Sequence, residues 1–146
     1  MSTEQVGEWL QPFGIESFAG QCVLTYSDEI AVTVEITADG LVLQLSAALA
    51  TLPEDATGSV LRSLLAMNHK GQQTGGGALA IGETGSLLVL CLAWPIQALD
   101  RQSFANMFDN FLDNAAELRA WIVSTLAEAD AREAPGPIGS NNAVPV

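Results

Sequence analysis

The segment Leu87-Leu88-Val89-Leu90-Cys91-Leu92-Ala93-Trp94 constrains the fold more than any other part of the chain. It is apolar on both alternating faces, the pattern of a strand buried on two sides. Pro95, which cannot donate to a sheet ladder, stops it. The stretch before it, from Gly76 to Ile81, reads as a partner strand, with Glu83-Thr84-Gly85 at the bend. Gly76 to Asp100 is therefore expected to be a hairpin leading into a helix cap. Helices of the same chain can cover one face of that hairpin. What covers the other face is a question about function.

The remaining periodicities supply the partners. Thr3 to Phe13 has Val6, Trp9, Leu10 and Phe13 at helical spacing and ends at Pro12 and Gly14. Gln21 to Tyr26, Glu29 to Thr37 and Leu41 to Leu49 read as strands. In the second of these, Ile30, Val32, Val34 and Ile36 alternate with Ala31, Thr33, Glu35 and Thr37. Ala38-Asp39-Gly40 is the turn between the second and third. Asp55 or Thr57 can cap a helix carrying Val60, Leu61, Leu64, Leu65 and Met67, with His69 and Lys70 in its last turn and Gly71 as its stop. Asp100 caps the longest helix, expected over residues 101–127, whose apolar stripe is Phe104, Met107, Phe108, Phe111, Leu112, Ala115, Leu118, Ile122 and Leu126. The expected fold is α+β, in the order α-β-β-β-α-β-β-α, with helices packed on an antiparallel twisted sheet. A chain of 146 residues fits one such domain. It is expected over residues 1–132, and 133–146, rich in Pro, Gly, Ser and Asn, reads as a disordered tail.

Charge narrows the partners. Seventeen acidic side chains against five basic ones leave a net charge of −12, which argues against phosphate backbones and anionic membranes. Residues 1–61 hold nine of the acids and no Lys or Arg. Solubility explains this simply; attraction of a basic partner segment is the functional alternative. Cys22 and Cys91 both lie in apolar strand patterns and read as reduced thiols of a cytosolic protein rather than a disulfide scaffold. The N-terminus has neither the basic nor the apolar region of a signal peptide, and the longest apolar run, Leu87 to Ile96, is half a membrane span.

Catalytic constellations are not found. His69 is the single histidine, which leaves no multi-histidine metal site and little basis for Cys–His catalysis. Gly75-Gly76-Gly77 opens a strand and lacks the Lys-Ser/Thr of a phosphate loop. The carboxylate pairs Asp28-Glu29, Glu54-Asp55 and Asp109/Asp113 fall at turns, at a cap and on an outer helix face. The chain reads as a non-enzyme with no cofactor and no metal.

Several ordered pieces carry a family resemblance. They are Leu64-Leu65-Ala66-Met67-Asn68, Gly77-Ala78-Leu79-Ala80-Ile81, Gly85-Ser86-Leu87-Leu88-Val89-Leu90, Trp94-Pro95-Ile96, Leu99-Asp100, Phe104, Phe111, Ala115 and Trp121. Together they resemble the Tir chaperone (CesT-type) family, the class I chaperones of bacterial type III secretion. The similarity runs from about Leu61 to Leu126. Trp94 before Pro95, where a smaller aliphatic residue is usual, and the Pro/Gly-rich tail depart from the pattern.

The resemblance implies a bacterial cytoplasmic homodimer that binds the N-terminal segment of a cognate effector in extended form and keeps it soluble for export, with contact to the secretion apparatus as a further prospect. It implies a dimer interface at Leu61, Leu64, Leu65, Val89 and Cys91, and effector contacts at Val6, Trp9, Leu10, Val32 and Val34. Nucleic acid, membrane insertion and nucleotide are not expected. The competing reading is an acidic regulatory or inhibitor protein, immunity-type or a nucleic-acid mimic, that binds a folded basic partner.

Overall fold

A computed structural model of the chain describes residues 2–27, 30–55, 58–71, 74–82 and 85–133. Its elements are α1 (Ser2–Leu10), β1 (Gln21–Ser27), β2 (Ile30–Ile36), β3 (Val42–Thr51), α2 (Gly58–Ala66), β4 (Ala78–Ile81), β5 (Leu87–Pro95) and α3 (Arg101–Glu133). This is an α+β fold in the expected order. The cap of α2 at 56–57 and the hairpin bend at 83–84 fall outside the described residues.

The five strands form one antiparallel sheet in the order β1-β2-β3-β5-β4. The connection through α2 carries the chain past β3, so that β5 returns between β3 and β4. It pairs with β3 along its whole length, from Leu87 opposite Thr51 to Pro95 opposite Val42. Its helix-side residues Leu88 and Leu90 are buried, whereas Leu87, Val89 and Cys91 on the other face are half-buried, so the expected burial on two sides holds for one side within this chain.

All three helices lie on one face. Ile30, Val32, Val34, Leu43, Leu45, Ala47, Leu49, Leu79, Leu88 and Leu90 bury there against Phe104, Phe108, Phe111, Leu112, Ala115, Leu118 and Ile122 of α3. Leu and Phe at this depth each stabilise the fold by about 1.5–3 kcal/mol through burial. Aromatic rings clasp α1 to α3: Trp9 stacks on Phe104 at 5.5 Å, and Phe13 meets Phe108 edge-on at 4.6 Å. That clasp is why the stripe of α1 faces inward.

Two details shape the sheet. β3 carries a bulge between Ala48 and Ala50. The carbonyl of Leu49, displaced from the ladder, accepts a hydrogen bond from the Arg119 guanidinium. At the β2–β3 turn, Gly40 adopts φ 75°, and Asp39 accepts from the Thr37 hydroxyl at 2.6 Å and the Leu41 N–H at 3.0 Å. The Thr37 bond, then the Leu41 bond, hold the Asp39 carboxyl below the usual range.

Helix α3 begins where expected and runs further. The Ser103 N–H donates to Asp100 Oδ1 at 2.8 Å, and the Asp100 N–H donates to Ser103 Oγ at 2.8 Å, a reciprocal cap. The helix continues past residue 127 to Glu133 because 127–133 are helix-compatible residues and the first breaker is Pro135. Its 33 residues span about 50 Å. Most of the expected tail, residues 134–146, lies outside the described residues.

Bonds from Ser103, backbone first, hold the Asp100 carboxyl below its ordinary value. A depressed carboxyl contributes stability above its unfolded value, and that stability is lost as pH falls through its folded value. Asp100→Ala should therefore melt about 2–4 °C lower than the parent at neutral pH. The gap should close as pH is taken from about 4 toward 2, readable by calorimetry across that range.

Candidate binding surfaces

Residues in an antiparallel ladder direct their N–H and C=O groups alternately to one neighbour and the other. Two bonds set the phase along β2: the Ile36 N–H donates to the Gly20 carbonyl at 2.9 Å, and the Thr37 N–H to the Val42 carbonyl at 2.9 Å. Val32 and Val34 therefore bond toward β1, where they meet Leu24 and Cys22. It follows that Gln21, Val23 and Thr25 direct their backbone groups away from the sheet, where no strand follows among the described residues. Val23 is 64% exposed at this open edge.

The opposite edge is different. Ala78 and Ala80 of β4 pair inward with Cys91 and Val89, so Leu79 bonds outward. Both of its groups are met by one side chain. The Leu79 N–H donates to Asn68 Oδ1 at 2.7 Å, and Asn68 Nδ2 donates to the Leu79 carbonyl at 3.2 Å. An amide has the donor and acceptor of a peptide, so Asn68 stands where a neighbouring strand would bond. Such a cover blocks edge-to-edge pairing.

Beside this closed edge is an apolar surface. Val60, Leu64 and Met67 bury the inner side of α2, while Leu61, Leu65 and Ile81 remain exposed, Leu65 at 66%. Between them is a cavity of about 250 Å³ lined by Leu61, Leu64, Leu65, Leu79, Ala80, Ile81 and Leu88. On the sheet face opposite the helices is a groove of about 450 Å³, lined by Thr33, Glu35, Gln44, Ser46, Cys91 and Ala93 with Gly76 and Gly77 at its end.

The expected site residues divide accordingly. Leu61 and Leu65 are exposed on α2, with Leu64 buried beneath them. Val89 and Cys91 are half-buried on the other side of the sheet, so the five residues do not share one surface. Val6, Trp9, Leu10, Val32 and Val34 are buried in the chain's own core, none more than 4% exposed. They present no surface to a partner, because α1 and β2 both turn their apolar sides to α3. Asn68 figures in the sequence only as the end of the Leu64–Asn68 piece that carries the resemblance, and periodicity carries no signal for its bridge or for the open backbone of β1.

The thiols are free, Cys22 on the helix side and Cys91 in the groove. Burial pushes both thiols up, which keeps them protonated. His69 is exposed. Among the described residues no three His, Cys, Asp or Glu side chains gather as a metal would need, and no helix is long and apolar enough to cross a membrane.

Asn68→Ala should leave the Leu79 backbone groups unpaired and reopen the edge. The expected loss is about 1–3 kcal/mol in urea unfolding, with larger species in sedimentation. Unchanged stability and mass would mean that the amide is incidental.

Comparison with known proteins gives a consistent result. The model of the Tir chaperone protein (CesT) family matches residues 11–119. No curated protein matches by sequence. Among solved structures, one chain of the ExsC–ExsE complex superposes with a TM-score of 0.68 at 18% identity, covering 82% of this chain and 92% of that one. A chain of the heterodimeric ExoU–SpcU complex from the type III secretion system of Pseudomonas aeruginosa gives 0.61 at 18%, covering 79% and 95%. A chain of the HopA1–SchA chaperone–effector complex gives 0.63 at 16%, covering 80% and 91%. At these identities the likeness is one of fold.

Proposed function

Because the chain belongs to the Tir chaperone protein (CesT) family, we propose that it is a type III secretion chaperone. It acts as a homodimer in the bacterial cytoplasm, binding the N-terminal segment of one effector in extended form and keeping it soluble and fit for export. One observation carries this reading: the sheet has an open edge at Gln21, Val23 and Thr25 while its other edge is closed at Leu79 by Asn68. An extended guest adds to an open edge through its own backbone, with side-chain pockets supplying selectivity. The edge belongs to residues 1–61, which hold nine acids and no Lys or Arg, and this favours a guest with basic residues.

The dimer uses the apolar surface of α2 and β4. Leu61, Leu65 and Ile81 lie exposed together over Leu64 and Leu79, and contiguous apolar surface of this kind is characteristic of an interface. The Asn68 bridge disfavours a dimer that joins the two sheets through Leu79, and so directs contact to the side chains.

Leu65→Asp should convert dimer to monomer in light scattering without loss of helical signal, because the side chain is exposed. Leu64→Asp is a poorer test, since burying its charge would unfold the chain. An unchanged dimer mass for the Leu65 variant would place the interface elsewhere.

Co-expression with the product of the adjacent gene, followed by limited proteolysis, tests the client. Protection of a long segment without structure of its own supports the chaperone. Exclusive capture of a compact basic domain supports the inhibitor reading instead.

A further inference from the structure

Along β5 the ladder stops before the strand does. β4 pairs only with Leu88 to Cys91, while β5 continues to Pro95. The Gly82 N–H donates to the Leu87 carbonyl at 2.7 Å, and the Ile96 N–H to the Leu41 carbonyl at 2.9 Å. In that phase Leu87, Val89, Cys91 and Ala93 bond toward β4. Ala93 is thus a strand position whose lateral N–H and C=O meet no backbone group among the described residues.

The described residues before β4, Gly71 and Thr74 to Gly77, do not fill the gap, because they bond to one another. The Gly76 N–H donates to the Gly71 carbonyl at 2.8 Å, the Gly77 N–H to the Thr74 carbonyl at 3.1 Å, and the buried Thr74 hydroxyl to the Gly77 carbonyl at 2.7 Å. Gly77 also approaches β5 so closely that a Cβ would stand 2.6 Å from the Cys91 carbonyl oxygen. Gly77 is thus held against β5, and among the described residues the edge beyond it is open.

Both flanks of this edge are recessed. On the helix side, Leu92, Trp94, Met107 and Phe111, with Thr74 and Asn114, frame a notch of about 230 Å³. On the other side lies the groove that Cys91 and Ala93 line. Trp94 is 42% exposed at the notch. The notch is smaller than the roughly 300–1,000 Å³ of a small-molecule site and suits a single side chain. A second copy docked on Leu65 and Ile81 would not cover it, because Ile81 lies opposite Leu88, at the other end of β5.

We infer that the Leu92–Trp94 edge of β5 is a second strand-addition site, taking about three residues of an extended partner segment with one bulky apolar side chain in the notch. The inference rests on the reading of this chain as a binder of extended segments. The residue opposite Ala93 supplies the two backbone hydrogen bonds and points its own side chain over the groove. The next residue points into the notch and the one after it points over the groove again, so the recognised pattern is polar–apolar–polar.

The test is a titration of the isotope-labelled full chain with the capped peptide Ac-Lys-Thr-Leu-Thr-Lys-NH2, followed by NMR. The Ala93 amide and the Trp94 indole should shift. Affinity should fall about tenfold or more when both threonines are N-methylated, and similarly in Ala93→Pro, which deletes the lateral donor and spares the β3 ladder. Ala93→Gly, which keeps the donor, should bind as the parent does. If Ala93→Pro perturbs the fold, the N-methylated peptide on the parent chain decides. Absence of any shift at millimolar peptide, or equal binding of the N-methylated form, overturns the proposal. Shifts confined to Val23 and Thr25 overturn it too, while leaving the chaperone reading in place.

Discussion

A strand offers hydrogen bonds on two sides, and a sheet that does not close into a barrel must leave some of them unmet. The organisation of this protein follows from how that constraint is handled. At β4 the outward groups of Leu79 are taken by the Asn68 amide. At the β3 bulge the freed carbonyl of Leu49 is taken by Arg119. At β1 and beyond the end of β4 no strand meets them among the described residues. Exposed edges invite aggregation, so proteins usually blunt them. The two edges of this sheet are thus unlike: Asn68 covers the backbone of Leu79 on one, and β1 borders the other.

The rest of the molecule supports that arrangement. The helices cover the centre of one sheet face, and the aromatic clasp of Trp9, Phe13, Phe104 and Phe108 ties the N-terminal helix to the C-terminal one. With core packing confined to that face, the β1 edge and the groove stay accessible without weakening the fold. The second face of β5 is also less apolar than its sequence suggests. Leu88, Leu90, Leu92 and Trp94 share the helix side, and Leu87, Val89, Cys91 and Ala93 form the other. Half-burial of Val89 and Cys91 beside small neighbours suits a shallow floor better than a hydrophobic interface.

Much of this was legible in the residues. The alternation of Ile30, Val32 and Val34 with polar positions, the stripe from Phe104 to Ile122, the Asp39-Gly40 turn and the Asp100 cap all appear where expected. The exposure of the candidate contacts was a different matter. Leu61 and Leu65 are surface residues of α2, as an interface requires, but Val6, Trp9, Leu10, Val32 and Val34 are core. An apolar stripe announces that something covers it and does not say whether the cover is the same chain. Here α3 is long enough to cover α1 and the sheet at once.

The sequence by itself determined the order and type of the elements and which of their sides are apolar. Those properties reside in spacings of 2 and 3.6 residues and in single side chains next to the backbone they cap. The tertiary structure alone decided that β5 lies inside the sheet, that Asn68 closes one edge, and that Gly77 stops β4 short of Ala93. Each depends on groups distant along the chain meeting at bonding distance: Asn68 and Leu79 are 11 residues apart, and Arg119 and Leu49 are 70 apart. A local pattern reports which side of a strand is apolar; only the completed pairing reveals which backbone groups are left over.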